Sequence, residues 1–250
     1  MRLPDVLLVD LDDTIIDISA SGDACWRDVV GRAAPSLGVE ASALCAAITL
    51  AKDWFWTDRV RNQWGRFHLQ EASRLIVEET LARLGIADAD HAHRIADEFR
   101  ATREAYIALF PGAVALLDEL RSGGVRLALV TNGRASTQRA KIERFELAPR
   151  FEAILIEEEV GAGKPDPSVY RAALGRLGAR ASLTWMVGDD LERDEDGPQR
   201  LGIAGIWIDH GGQGVPAPSS VRPARIVRSL SELAPPPADG SAVRTGRRRG

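Results

Sequence analysis

Hydrophobic positions along this chain follow two different patterns. Five short runs are apolar without polar alternation: residues 6–9, 125–130, 153–156, 183–187 and 205–208. Runs of this length and branching predict strands buried on both faces, as in a parallel sheet. Between them lie stretches with helical spacing. Pro111-Gly112 opens one in which Ala113, Leu116, Leu117 and Leu120 share a face, closed by Gly123-Gly124. Others are expected over residues 138–145, over 169–177 with Gly178 as the stop, and over 194–201, where Pro198 falls in the first turn and is tolerated there. Ile226-Val227 reads as a last short strand, followed by a turn at Ser231-Glu232-Leu233. Strand–helix alternation of this kind predicts an α/β, doubly wound parallel sheet with right-handed crossovers.

Residues 17–109 break that alternation. This stretch is rich in Ala, Arg and Glu; Val77, Leu81 and Leu84 fall at i, i+4 and i+7, with Gly85 as a stop. Several helices inserted after the first strand are expected, and they hold four of the six tryptophans: Trp26, Trp54, Trp56 and Trp64.

Composition narrows the class. At 250 residues and 45% hydrophobic, the chain can bury a large core, as one domain or two. No apolar run approaches the roughly 20 residues of a membrane helix, and a four-residue run after Arg2 does not fit a signal peptide. Cys25 and Cys45 are too few for a disulfide scaffold, so a reduced, cytoplasmic setting is expected. Net charge is −4, but Arg244, Arg247, Arg248 and Arg249 lie together near the end, leaving −8 on the remainder. An acidic body argues against nucleic-acid binding. Residues 235–250, rich in Pro, Gly and Arg, are expected to be a disordered tail. Only Lys52, Lys141 and Lys164 of the 32 basic residues are lysines, so each lysine is informative.

The polar residues that end the strands carry the chemistry. Asp10 and Asp12 follow the first run, Thr131 and Asn132 the second, and Asp189, Asp190 and Asp194 the fourth, with Lys164 in a loop between. Ligands of parallel sheets bind beyond the carboxyl ends of the strands. Alone, residues 10–14 are equally well read as an acidic turn. Together, the groups are those phosphoryl chemistry needs: hard oxygens for Mg²⁺, hydroxyl and cationic donors for phosphoryl oxygens, and a carboxylate able to act as a nucleophile.

In this order the residues resemble the haloacid-dehalogenase superfamily of hydrolases. Asp10-Leu11-Asp12-Asp13-Thr14 is similar to its first motif and Thr131 to the second. Lys164, in Gly163-Lys164-Pro165-Asp166-Pro167, is similar to the third, and Gly188-Asp189 with Asp194 to the fourth. The resemblance covers roughly residues 4–210. It implies a Rossmann-like core over residues 1–16 and 110–234, with residues 17–109 as an inserted helical cap of the C1 type.

The resemblance also implies roles. Asp10 would be the nucleophile and a Mg²⁺ ligand. Asp12 would be the general acid and then base, lending its backbone carbonyl to the metal; its pKa would have to rise from the ordinary value of about 3.9. Thr131 and Asn132 would hold phosphoryl oxygens and Lys164 would offset negative charge. Asp189 would bind metal, and Asp194 would support the metal or orient Lys164. The family's dehalogenases carry an aromatic residue where this chain has Asp12, so a phosphatase is expected. Its partner would be a small phosphorylated metabolite such as a sugar phosphate, phosphoglycolate or a nucleotide, with no membrane partner and a monomer or small homo-oligomer as the working form. A phosphomutase of the same superfamily and a phospho-accepting receiver-like signalling module are the alternatives; the large insertion argues against the latter.

Some residues are weighed on their own. Asp13 is read as a brace of the turn and Asp190 as either a helix cap or a supporting metal-site residue. The aromatic and arginine residues between Trp54 and Arg66 are either ordinary helix packing or a wall over the phosphate site, with packing preferred. His68, His91, His93 and His210 lack ligand spacing.

Overall fold

The computed structural model describes residues 3–234; the expected tail at 235–250 lies outside them. In chain order, β1 (Val6–Val9) and β2 (Ile16–Asp17) lead into five helices: α1 (Ser19–Leu37), α2 (Ala41–Thr57), α3 (Arg59–Gly65), α4 (Leu69–Arg83) and α5 (Ala89–Tyr106). Then follow β3 (Ala108–Leu109), α6 (Ala113–Ser122), β4 (Arg126–Thr131), α7 (Ala135–Arg144) and β5 (Ala153–Ile156). A single turn α8 (Glu157–Val160) precedes α9 (Pro167–Leu177), β6 (Thr184–Gly188), the short α10 (Gly197–Gln199), β7 (Ala204–Ile208) and β8 (Arg225–Val227).

Six strands form one parallel sheet in the order β5-β4-β1-β6-β7-β8, with β1 central between β4 and β6. The unbroken apolar runs are explained by burial on both sides. Leu7 and Val9 join Leu127, Leu129 and the Leu116, Leu117 and Leu120 face of α6 in one cluster. Val6 and Leu8 join Ala128, Val130 and the Val169, Tyr170 and Ala173 face of α9 in another. Successive side chains of a strand alternate sides, so one four-residue run serves both layers.

Residues between β2 and β3 have their own hydrophobic cluster, built on Val29, Ile48, Phe55, Ile76, Val77, Leu81 and Phe99. Trp26 stacks on Phe99 at 3.6 Å within it. The chain enters and leaves these helices through the antiparallel pair β2–β3, where Ile16 faces Leu109 and Asp17 faces Ala108. Two-residue strands have no visible hydrophobic period, and this neck was not foreseen. No helix among the described residues is long and apolar enough to cross a membrane.

One expected helix differs. In place of a regular helix over 194–201, residues Leu191–Asp196 form a π-helical turn that runs into α10. Asp190 caps its start, its Oδ1 accepting from the backbone N–H of Glu192 at 3.0 Å and Arg193 at 2.9 Å. Pro198, lacking an N–H, follows at the start of α10. The wide turn brings Asp194 and Glu195 inward, both fully buried.

Leu8 is fully buried where β1 meets α9. Leu8→Ala is expected to cost about 2–5 kcal/mol of stability, read from urea denaturation midpoints.

Candidate active site

The carboxyl ends of β1, β4 and β6 open into a cavity of about 560 Å³, whose opposite wall comes from the inserted helices. Asp10, Asp12, Thr131, Asn132, Lys164, Asp189, Asp190 and Asp194, the residues singled out in the sequence, all line it. Strand register explains the convergence. Val9 pairs with Leu129 and with Val187, so all three chains run out at one level.

Lys164 is at the centre. It is 3% exposed, and its Nζ donates to Asp10 Oδ1 at 2.7 Å and to Asp194 Oδ1 at 2.6 Å. A buried ammonium between two carboxylates stays charged: burial opposes the charge, but the flanking anions overcome it and raise its pKa. Asn132 fixes the loop that delivers it. Its amide donates to the Lys164 carbonyl at 2.7 Å and accepts from the Lys164 N–H at 2.7 Å. Gly188 makes room for Asp194, because a Cβ there would lie 2.1 Å from the Asp194 carboxylate.

One cation does not neutralise the acids. One oxygen from each of Asp10, Asp189 and Asp194 lies within 4.8 Å of the others. Burial first, then the charge of neighbouring carboxylates, pushes the Asp10 pKa up to about 7 against the pull of Lys164. The same two causes hold Asp189 well above the usual carboxylate range. Both Asp194 oxygens are engaged, the second accepting from the Asp190 N–H at 3.1 Å. Donors open to a cation are therefore the second oxygen of Asp10 and the carboxylate of Asp189. Clustered hard oxygens with surplus negative charge fit a divalent cation.

Asp12 has a separate cationic partner. Lys141, on α7, donates to both Asp12 oxygens at 2.7 and 2.8 Å, and Gln138 adds a bond at 3.0 Å. Burial raises the Asp12 pKa, but the Lys141 charge and these bonds outweigh it and hold the carboxyl below the usual range. The sequence expectation was a raised value. The difference arises because α7 begins at Ala135, so Gln138 and Lys141 project from its second turn onto Asp12. Gln138 also donates to Thr131 Oγ1 at 2.6 Å, leaving the hydroxyl hydrogen free to donate into the cavity. Neither residue was singled out; the one legible signal was that Lys141 is among three lysines.

Other residues settle into supporting contacts. Asp13, at φ +56°, accepts from Ile18 N–H, Ser19 N–H and Ser19 Oγ, bracing the turn. Asp190 is a cap that also pairs with Arg193 at 3.3 Å. Arg61 stacks over Trp54 at 4.1 Å, as ordinary packing. Arg66 instead reaches across to Glu157 at 3.1 Å, and Asn62 accepts from Arg193 at 3.1 Å, tying the inserted helices to the sheet side of the cavity. His210 packs on Phe110 and its Nε2 lies 2.7 Å from the Asp13 carbonyl.

Residues 4–202 match the model of the haloacid dehalogenase-like hydrolases. The chain belongs to that family. It is 33% identical over 224 residues to the phosphoserine phosphatase of Thermus thermophilus, covering 82% of this chain and 89% of that protein. It is 33% identical over 239 residues to the N-acylneuraminate-9-phosphatase of Rattus norvegicus, covering 90% of each. Among solved structures, the HAD-hydrolase YfnB of Bacillus subtilis, determined with magnesium bound, superposes with a TM-score of 0.71 over 93% of this chain and 97% of that one, at 23% identity. These relatives make the chain a phosphatase of the superfamily.

Lys141→Met removes the cation beside Asp12, which favours its neutral form. The Asp12 pKa is expected to rise above its wild-type value, followed by carboxyl-carbon NMR titration. An unchanged titration would show that Asp12 does not feel the Lys141 charge.

Proposed function

We propose that this phosphatase hydrolyses a small phosphomonoester in two steps through an aspartyl-phosphate on Asp10, with Asp12 as acid and base and Mg²⁺ as cofactor. The observation that carries this reading is the buried bridge Asp10–Lys164–Asp194. It fixes one oxygen of Asp10 on Lys164 and leaves the other facing the cavity with its lone pairs available.

Asp10 and Asp189, with the Asp12 backbone carbonyl, would hold Mg²⁺, which when bound supplies positive charge against the phosphoryl oxygens and the crowded carboxylates. Asp10 attacks phosphorus, the ester P–O bond breaks, and the leaving oxygen takes the proton of Asp12. Water then attacks the phosphorus of the acyl phosphate, Asp12 accepts the water's proton, and the P–O bond to Asp10 breaks to release inorganic phosphate. Splitting one difficult displacement into two gives each a positioned nucleophile. Thr131, through its free hydroxyl hydrogen, and the backbone of Asn132 donate to the phosphoryl oxygens, while Lys164 offsets their charge.

The low pKa of Asp12 is compatible with both of its tasks. In the free site Lys141 keeps it ionised, ready as a base. A phosphate dianion arriving beside it opposes that pull and favours the protonated form the first step uses. The inserted helices serve as a cap that shuts water out of the cavity during the reaction.

The related phosphatases act on different alcohols, a serine and an N-acylneuraminate by their names, so kinship supports the reaction rather than the substrate. A panel of phosphomonoesters assayed for phosphate release with and without Mg²⁺ tests the reading. Turnover is expected to require metal and to vanish in Asp10→Asn; equal rates in that variant would overturn it. Lys164→Arg is expected to lose most activity, because a planar guanidinium cannot replace a compact ammonium at 2.7 and 2.6 Å from two carboxylates. Near-wild-type kinetics would show that Lys164 is incidental.

A further inference from the structure

The cap side of the cavity holds more positive charge than its own acids balance. Four helices each present a stripe to it, and α5 contributes Phe99, Arg100, Arg103 and Glu104. Among the cations lining the cavity, Lys52 pairs with Asp23, Arg66 with Glu157, Lys141 with Asp12 and Arg193 with Asp190. Glu104 is drawn off by Arg144 at 3.5 Å. Arg134 is exposed. Arg100 and Arg103 are left with no ion pair among the described residues.

Arg103 is the more telling of the two. Its Nη1 is buried with no hydrogen-bond partner. The guanidinium lies over Phe99, 5.7 Å from the ring centroid, and beside Gly22 of α1. Its charge is felt both at Arg100 and at Asp12. A buried N–H without an acceptor is costly, the more so on a charged group, unless something arrives to accept it. The one unpaired carboxylate of the cap wall, Asp53, is exposed and lies near Lys52. Two free guanidiniums against one free carboxylate leave about one positive charge uncompensated, close to the residue that would protonate the leaving oxygen.

We propose that the alcohol released by this enzyme carries a carboxylate, bound by Arg103 with support from Arg100. A guanidinium fork matches the planar carboxylate with two parallel N–H donors. A singly charged group balances the surplus where a second phosphate dianion would exceed it. Arg103 and Asp12 line the same cavity of about 560 Å³, so this carboxylate and the ester oxygen share one pocket, which describes a compact phosphorylated hydroxy- or amino-acid. The inference rests on the phosphomonoester hydrolysis proposed above and specifies its substrate class.

Matched esters that differ only in the carboxylate provide the test: O-phosphoserine against phosphoethanolamine, and phosphoglycolate against methyl phosphate. In the wild-type enzyme with Mg²⁺, kcat/KM is expected to favour the carboxylated member of each pair by about ten- to a hundredfold, the usual worth of a hydrogen bond to a charged group. In Arg103→Gln that ratio should fall towards one, with a smaller fall in Arg100→Gln. Because each ratio is taken within one protein, a general loss of activity does not affect it. If Arg103→Gln does not fold, the wild-type ratio and Arg100→Gln still decide. Equal turnover within both pairs, an undiminished ratio in the folded Arg103→Gln, or a clear preference for ethylene glycol bisphosphate would overturn the carboxylate assignment while leaving the phosphatase reading in place. Absence of phosphate release from every ester would instead overturn that reading, and this inference with it.

Discussion

The Lys164 ammonium, buried between Asp10 and Asp194, is the interaction on which the rest of this site depends. Three carboxylates brought together at the ends of β1 and β6 repel one another and are largely buried; without a cation among them the cluster would protonate or open. Removing one partner from such a buried network typically costs about 3–5 kcal/mol, because the remaining charges are left uncompensated. Much of the local architecture secures that one ammonium. Asn132 clasps its backbone, Gly188 clears the approach of Asp194, and the π-helical turn after Asp190 swings Asp194 inward. The acids remain under-neutralised even so, and that residual charge makes the pocket receptive to a metal ion.

A second ammonium divides the labour. Lys164 and Lys141 approach the first loop from different elements and take different aspartates, Asp10 and Asp12. Two residues apart in sequence, these carboxyls are pushed in opposite directions: Asp10 upwards by burial and neighbouring acids, Asp12 downwards by Lys141 against its own burial. Environments that separate the protonation behaviour of adjacent carboxyls are what a nucleophile and an acid–base pair require. Gln138 links the two sides, donating to both the Asp12 carboxylate and the Thr131 hydroxyl and so coupling the orientation of one to that of the other.

The inserted helices contribute chemistry of another kind. Their hydrophobic cluster is separate from those flanking the sheet, and the chain joins the two through the short β2–β3 pair. Contacts across the cavity are polar, Arg66 with Glu157 and Asn62 with Arg193. The inserted helices supply the wall of the cavity opposite the strand ends, with Lys52, Asp53, Arg100 and Arg103 among its charged groups.

How much of this was legible follows from the range of each interaction. The strands were readable because burial on both faces leaves an unbroken apolar run, and the positions of Asp10, Thr131 and Asp189 because each directly follows such a run. The neck at β2–β3 and the π-helical turn were not, since two-residue strands and a six-residue turn leave no period. Sequence alone determined which chemical groups stand at the sheet's edge and in what order, since that depends on residue type and local periodicity. Only the tertiary structure decided which charge meets which: Lys164 reaches Asp10 across 154 positions, Lys141 reaches Asp12 across 129, and the Nη1 of Arg103 is left without a partner among the described residues. Pairing across such separations is set by strand register and helix placement, and the opposite pKa shifts of Asp10 and Asp12 follow from it.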